Sequence, residues 1–543
     1  MTAPPAWWRD AAAEGGTEMG FMSSEERTFS RAVSELALAN PFLPERIVAE
    51  KKALGDAFIE TGPVWHARPV PLDTNQNVQR IAERVGALVG KLRERLATGA
   101  APGADVTLYE ELATYHLYAR VEALLYELTV DTGPAARVEW FPRFAREVRH
   151  HFELPALAPA APPDPAQLVA FFFQVRRAFH FTMRNILGGS LPAARLRAAV
   201  WQAIFTHDMR RYRRGLWQRM HDVPTLIVGP TGSGKELVAR AIGLSRHIPF
   251  QSAGQRFGED FREGVFALNL SALSSTLIES ELFGHRRGAF TGAVADRPGW
   301  LEVCPPLGTV FLDEIAEVDA SIQVKLLRVL QTRTFQRVGD TQERRFQGKI
   351  VAATNRDLAA EMAAGRFRPD LYYRLCADVI ETPSLAAILR DAPGELPALL
   401  RFLAARIAGE AEAEALAAAA GGWIRERLGP GYPWPGNVRE LEQCIRNVMV
   451  RGTYHPPRAE PPTPRAGLAD AFLAGSLTAD ELLRGYCTLV YAQTGSYLET
   501  ARRLALDRRT VTAKVDRELL ARLRDVSASE RGGRRPTDGP ARR

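Results

Sequence analysis

Leu226-Ile227-Val228-Gly229-Pro230-Thr231-Gly232-Ser233-Gly234-Lys235-Glu236-Leu237-Val238-Ala239-Arg240 is the stretch around which the rest of the chain is read. Three apolar residues, a loop with three glycines, a lysine and a helix-favouring run predict strand, phosphate-binding loop and helix in that order. Glycines let successive backbone N–H groups turn inward on phosphate oxygens, the helix N-terminus adds its positive end, and Lys235 reaches the outer phosphates. The expected ligand is a nucleoside triphosphate cradled by Gly229, Pro230, Thr231, Gly232, Ser233, Gly234, Lys235 and Glu236. Glu236 stands where the general pattern has a Ser or Thr hydroxyl for magnesium, so the metal must lean on other ligands. A glycine-rich turn ending in lysine also occurs without nucleotide, and downstream residues decide between the two.

Val310-Phe311-Leu312-Asp313-Glu314 reads as an apolar strand delivering two carboxylates at its C-terminal end, where parallel sheets bind ligands. Asp313 is expected to hold magnesium, directly or through water. Glu314 is expected to orient and polarise the attacking water, because phosphoryl transfer needs chiefly positioning and charge neutralisation. The other reading of this pair is a helix N-cap. Apolar runs at 226–228, 265–268, 309–312 and 349–353, with helical segments between them, predict a doubly wound parallel sheet, and 397–450 predicts a helical lid.

A chain of 543 residues, 46% hydrophobic and 24% charged, is expected to form several globular domains with a large core. No apolar run approaches the roughly twenty residues that span a bilayer; 169–173 is broken by Gln174, Arg176 and Arg177. The first residues carry acidic side chains and no apolar signal core, so a cytoplasmic protein without membrane contact is expected. Cys304, Cys376, Cys444 and Cys487 lie far apart, which fits reduced thiols and not a disulfide framework or zinc site. The net charge of +7 is modest, but arginines gather near the C-terminus, among them Arg502, Arg503, Arg517, Arg522, Arg524, Arg542 and Arg543, a bias that suggests nucleic acid.

The organisation is read as follows. Residues 1–155 form a helical regulatory domain, with Val78, Ile81, Val85, Leu88, Leu92 and Leu96 on one stripe. Tyr109, Tyr115, Tyr118 and Tyr126 read as core aromatics, with a ligand pocket as the other reading, and His150-His151 not as a metal site. No strand ends in the paired acids a phosphoacceptor domain needs. Residues 156–187 hold a stiff linker around Pro155, Pro159, Pro162, Pro163 and Pro165, then an aromatic helix. Residues 193–220 read as one more helical stretch, ending in Arg210, Arg211, Arg213 and Arg214 as a solvated face. Residues 188–390 are the α/β ATPase, 391–452 its lid, 453–473 a second Pro-rich linker, 474–525 a helical DNA-binding domain, and 526–543 a basic tail expected to be disordered.

Gly288-Ala289-Phe290-Thr291-Gly292-Ala293, two glycines around an expected exposed aromatic, predicts a mobile hairpin tip and a contact surface. Here the sequence resembles the AAA+ domain of bacterial sigma-54-dependent transcriptional activators, the enhancer-binding proteins. The resemblance covers about residues 188–450 and includes, in order, Leu326-Leu327-Arg328-Val329-Leu330-Gln331, Ala353-Thr354-Asn355-Arg356-Asp357-Leu358, Gly365-Arg366-Phe367-Arg368-Pro369-Asp370-Leu371-Tyr372-Tyr373-Arg374-Leu375 and Trp434-Pro435-Gly436-Asn437-Val438-Arg439-Glu440-Leu441. It implies that the loop 288–293 touches sigma-54, and that Glu236 is a family trait. It also implies that Asn269 holds Glu314 inactive until nucleotide is bound, and that Asn355 senses the terminal phosphate. Arg368 and Arg374 then reach into the neighbouring subunit's site, and Arg439 is the lid arginine. Guanidinium contact with phosphate explains the residue type at these positions. Trans arginines imply a ring, in the family a hexamer, with ATP and Mg2+ as cofactors. Ser384-Leu385-Ala386-Ala387-Ile388 and Cys304-Pro305-Pro306-Leu307-Gly308 depart from the family pattern.

Thr494-Gly495-Ser496 followed by Ala501, Leu504, Leu506, Arg508, Arg509, Thr510, Val511 and Lys514 resembles the helix-turn-helix of Fis-type DNA-binding domains. Ala501 is the small residue where helices cross, Asp507 caps the recognition helix, and Arg508, Arg509, Thr510 and Lys514 face DNA. Ala505 stands where glycine is common, and a bundle that only dimerises is the alternative. The whole resembles an activator that binds upstream DNA and uses ATP in a ring to remodel the closed complex of the sigma-54 RNA polymerase holoenzyme. Two other readings stay open: an AAA+ ATPase remodelling another protein, and a DNA-binding regulator without turnover.

Overall fold

Five parallel strands make the central sheet: β1 (Thr225–Val228), β2 (Val265–Asn269), β3 (Thr309–Asp313), β4 (Lys349–Thr354) and β5 (Asp378–Glu381), in the order β2-β3-β4-β1-β5. The computed structural model describes residues 21–60, 75–99, 101–130, 137–157, 162–456, 471–472, 475–521 and 523. Pro159, most of the second Pro-rich segment, Arg522 and the basic tail lie outside the described residues. Every residue of β4 and all but the last of β3 are buried, so these strands read as continuous apolar runs without alternation. β5 was not expected. It has four residues, Val379 at 48% exposure, and no apolar run to announce it. β1 lies between β4 and β5, and its C-terminal end opens on the crevice where ligands of such sheets bind.

The N-terminal region is helical, as expected, with helices Ser24–Leu38, Glu45–Leu54, Gln76–Thr98, Gly103–Val130 and Phe141–Phe152. Ile81, Val85, Leu88, Leu92 and Leu96 are buried along one stripe of the third. Their core continues without a break onto helix Pro165–Asn185 and reaches the hairpin at Phe250 and Phe257. There the ring of Phe141 lies 4.4 Å from that of Phe250, and Phe173 4.2 Å from Phe257. Helix Pro165–Asn185, the expected aromatic helix, is therefore packed into this core. Residues up to Thr453 form one compact unit and residues from Tyr454 another.

The polar residues of helix Pro165–Asn185 explain why it can be buried on nearly every side. Gln174 donates to the Ser245 carbonyl at 3.0 Å and accepts from the Tyr212 hydroxyl at 2.7 Å. The Arg177 guanidinium donates to the carbonyls of Leu244, at 2.6 Å, and Arg246, just past the end of helix Lys235–Gly243. A cation at a helix C-terminus is favoured by the dipole, and each carbonyl gains a donor. Arg176 pairs with Glu122 at 3.2 Å and stacks on Tyr126.

The stretch 193–220 is not one helix. It breaks at Thr206, with φ of 69°, into helices Leu191–Phe205 and Met209–Arg214 and two short 3-10 turns. The basic run is only partly a solvated face. Arg210 pairs with Glu111 at 2.7 Å and Arg213 lies over the ring of Phe171, leaving Arg211 and Arg214 in solvent. The lid is helical as expected, in Glu395–Ala408, Glu410–Arg427 and Asn437–Arg451.

The C-terminal unit holds helices Ala479–Thr494, Tyr497–Leu504 and Arg508–Lys514. Gly495 ends the first in the left-handed region, Ser496 caps the second, and the Asp507 carboxylate accepts from Arg509 N at 2.7 Å and Thr510 N at 3.0 Å. Ala501 is buried, and Ala505 takes φ of 52°, the conformation for which glycine is common.

Candidate nucleotide site

The glycines of the loop after β1 are required by contact. A Cβ on Gly229 would lie 2.1 Å from Thr382 Oγ1, and one on Gly232 would lie 2.3 Å from the Gly436 carbonyl oxygen. Gly234, at φ of 93°, turns the chain into helix Lys235–Gly243. Thr231 and Gly232 are held by the lid, since Asn437 Nδ2 donates to the Thr231 carbonyl at 3.0 Å and Val438 N to the Gly232 carbonyl at 3.1 Å. Ser233 Oγ lies 2.7 Å from both the Pro230 carbonyl and Thr382 Oγ1.

Lys235 is buried, and its amine donates to the carbonyls of Gly229 at 3.0 Å and Pro230 at 3.3 Å. Burial pulls its ammonium below the ordinary lysine value, opposed by Glu314 and Asp313. Asp313 closes β3, where burial raises its carboxyl against the pull of Lys235. Glu314 adopts φ 56° and ψ 50°, a left-handed conformation that costs a non-glycine residue about 1–2 kcal/mol and is typical of functional sites. Its Oε2 accepts from Asn355 N at 3.4 Å, while Asn355 Nδ2 donates to Thr231 Oγ1 at 2.8 Å. Asn355 thus bridges the phosphate loop and the glutamate. Asn269 ends β2 opposite Asp313, but its side-chain Oδ1 accepts from Ser271 N and Oγ, at 3.0 and 2.8 Å, while the Glu314 carboxylate accepts from Asn355 N.

Lys235, Asp313 and Glu314 line one cavity of about 620 Å3. Residues 231–236, Asp313, Glu314 and Arg439 form a polar end, and Ile186, Leu187, Leu196, Ile388 and Leu403 an apolar one, the division a nucleotide's phosphates and base would need. Among the described residues no group of three or more His, Cys, Asp or Glu side chains could hold a metal by itself. One carboxylate at Asp313 suits magnesium, which keeps waters and takes further ligands from nucleotide phosphates.

The hairpin tip at 288–293 is closed by Gly288 N to the Ala293 carbonyl at 2.8 Å, with Gly288 and Gly292 at φ of 81° and 100°. Phe290, expected to be exposed, is half-buried with its ring 5.0 Å from that of His285, which is itself fixed by Ser280 Oγ at 2.7 Å. The exposed apolar residue beside the tip is Val294, at 83%.

Residues 207–381 match the family described as the Sigma-54 interaction domain. Over this stretch the chain is similar to the sigma-54-dependent activators. The Nif-specific regulatory protein of Azotobacter vinelandii is 44% identical over 225 residues, 41% of this chain and 39% of that protein. ZraR of Klebsiella oxytoca is 38% identical over 306 residues, 54% of this chain and 64% of the relative. The chain therefore spans less than two thirds of these relatives' length. A solved structure of NtrX from Brucella abortus, in complex with ATP, covers 65% of this chain and 75% of its own at 22% identity, with a TM-score of 0.37.

Within the matched stretch the expected trans arginines do not line the chain's own cavity. Arg368 is exposed and paired with Asp370 at 2.7 Å, and Arg374 is exposed on helix Pro369–Leu375. In the C-terminal unit Arg508 and Arg509 are exposed, Thr510 donates to Asp507, and Lys514 is ion-paired with Asp480. The sequence missed the apolar end of the cavity, whose residues come from separate segments and form no contiguous motif. It also missed Thr382 and Asn437, which act through single contacts to the loop.

Proposed function

We propose that this chain is an ATP-driven transcription activator. It binds upstream DNA through its C-terminal unit and, as a homo-oligomeric ring, most simply a hexamer, remodels the closed complex of the sigma-54 RNA polymerase holoenzyme. The observation that carries this reading is the cavity on which Lys235, Asp313 and Glu314, from the stretch that matches the Sigma-54 interaction domain, converge with Arg439 from helix Asn437–Arg451.

ATP entering the cavity offers phosphate oxygens to the Lys235 amine in exchange for the carbonyls of Gly229 and Pro230. Asp313 would hold Mg2+, which neutralises phosphate charge. Glu314 accepts a proton from, or orients, the water that attacks the terminal phosphorus, and its strained backbone fixes the carboxylate there in advance. Asn355 touches both Thr231 and Glu314, so a change at the terminal phosphate reaches both through one residue. Arg368 and Arg374 complete the site of the next subunit, Asn269 tunes Glu314 from the neighbouring strand end, and the loop of Gly288, Ala289, Phe290, Thr291, Gly292 and Ala293 presses on sigma-54. Arg508, Arg509, Thr510 and Lys514 supply the DNA contacts, Lys514 once it leaves Asp480. No helix among the described residues is long and apolar enough to cross a membrane, and a cytoplasmic location is part of the proposal. A remodeller of another protein remains the second reading, favoured only if the loop proves dispensable.

Hydrolysis and nucleotide binding by the full chain test the site. Glu314→Gln should bind ATP and lose at least about 100-fold in turnover. Lys235→Ala should lose binding itself. Full turnover by Glu314→Gln would remove the proposed role of that carboxylate.

A further inference from the structure

A second cavity, of about 490 Å3, lies at the end of the sheet where the strands begin. Its wall takes Lys349, the first residue of β4, the segment from Arg219 to Asp222 just before β1, and Pro306 and Leu307 just before β3. The phosphate loop follows the opposite, C-terminal end of β1, and no residue lines both cavities. The volume falls among those of small-molecule sites.

Charge of one sign dominates this cavity. Arg219, Arg246, Arg333, Arg345 and Lys349 line it, and Asp222 is the one carboxylate of the wall. Asp222 is already spent on Arg333 at 3.1 Å, and the Arg333 guanidinium also donates to the carbonyls of His221 at 2.6 Å and Gly348 at 3.0 Å. The Lys349 amine serves the Val223 carbonyl at 2.6 Å. Such bonds account for Arg333 and Lys349 as braces of the segment before β1. Nothing comparable accounts for the other three arginines. Arg246 donates through Nη1 alone, to the carbonyls of Pro306 at 3.4 Å and of Gly308. Its Nε and Nη2 meet no acceptor among the described residues, and neither is sealed from solvent. Arg219 and Arg345 are exposed and pair with no carboxylate among the described residues.

The cations lie close enough to disturb one another. Burial, with the charges of Arg246 and Arg333 adding to it, pulls the Lys349 ammonium down to about 7. Burial likewise pulls Arg246 down to about 10, and Arg333 acts in the same direction. Like charges gathered in a concave wall focus a positive potential into the space they enclose, and an anion seated there relieves their repulsion.

We propose that this cavity binds a compact organic anion carrying two or more negative charges, held by the guanidiniums of Arg246, Arg219 and Arg345. Nε and Nη2 lie on one edge of the Arg246 guanidinium, a fork that matches two oxygens of one carboxylate or phosphate group. Arg219 and Arg345 take the second charged group, and Arg333 and Lys349 add potential from fixed positions behind the contact. The carbon part of the anion rests on the apolar wall of Ile204, Phe346 and the Trp217 ring, which stacks on His247 at 4.1 Å.

The test is calorimetry on the full chain at neutral pH without magnesium, with a carboxylate series: tricarballylate with three charges, glutarate with two and butyrate with one. Tricarballylate should bind saturably, glutarate at least five-fold more weakly, and butyrate without saturation. Arg246→Gln should cut tricarballylate affinity at least ten-fold, with Arg246→Lys recovering part of it. Arg345→Glu changes an exposed side chain that braces nothing, and should cut affinity at least three-fold in a chain that circular dichroism and melting show to be folded. Arg451→Glu, at an exposed arginine outside the cavity, should leave affinity unchanged, and so should Lys235→Ala in the phosphate loop. Inorganic pyrophosphate, offered to Lys235→Ala, should bind and lose affinity when Arg345→Glu is added. Tighter binding of pyrophosphate than of tricarballylate assigns the natural ligand to the phosphates, and the reverse to the polycarboxylates. Absence of saturable binding by either probe, equal affinity across the carboxylate series, or undiminished binding by folded Arg246→Gln and Arg345→Glu overturns the site. An equal loss in Arg451→Glu reduces the effect to bulk charge and overturns it as well. Loss of tricarballylate binding by folded Lys235→Ala overturns it by placing the anion in the nucleotide cavity.

Discussion

Lys349 shows how one residue sets a pH dependence. It opens β4 fully buried, and burial, helped by Arg246, pushes its ammonium down to about 7, while its amine donates to the Val223 carbonyl at 2.6 Å. The folded value lies below the unfolded one, so between them the unfolded chain holds the extra proton and stability rises with pH. The stability of the natural chain relative to Lys349→Met should therefore climb from pH 7 to 9 by up to about 1.4 kcal/mol per pH unit. Urea unfolding at pH 6, 7, 8 and 9 reads it, and a flat difference refutes it. The polar residues of the candidate site were legible as a group because loop, lysine and strand-end carboxylates each occupy a contiguous stretch. Phe290 was misread because its ring packs against that of His285, five residues earlier, and is half-buried.

Among elements, helix Pro165–Asn185 is the tie between the N-terminal core and the phosphate-loop helix. Arg177→Met leaves the Leu244 and Arg246 carbonyls without their donor, and should cost about 2–4 kcal/mol and lower nucleotide affinity, with Arg177→Lys recovering part of both. Thermal melting with and without ADP measures it. Its periodicity was readable but its burial was not, because Gln174 and Arg177 look solvent-facing until carbonyls some seventy residues away are known, and Arg176 until its partner Glu122 is. The four strands with apolar runs were legible for the opposite reason: a contiguous apolar run, buried throughout in β4 and nearly so in β1 and β3, needs no distant partner to be recognised. In the C-terminal unit Ala505→Gly should relieve the left-handed strain and raise stability by up to about 1 kcal/mol, read by urea unfolding of the full chain. No change there would mean the turn relaxes at no cost.

For the whole molecule, the proposed ring makes a sharp demand, since Glu314 acts within its own subunit while Arg374 serves the next. Glu314→Gln and Arg374→Ala, each inactive alone, should regain part of the ATPase activity when mixed. A mixture as inactive as its components would argue that Arg374 acts in cis or not at all. The most direct test of the central claim is ATP-dependent open-complex formation with sigma-54 RNA polymerase on a supercoiled promoter template. The natural chain should open the promoter, Thr291→Ala should hydrolyse ATP without opening it, and Glu314→Gln should do neither. A chain that hydrolyses ATP yet never opens the promoter, with or without residues 1–160, would contradict the account and turn the loop toward another partner.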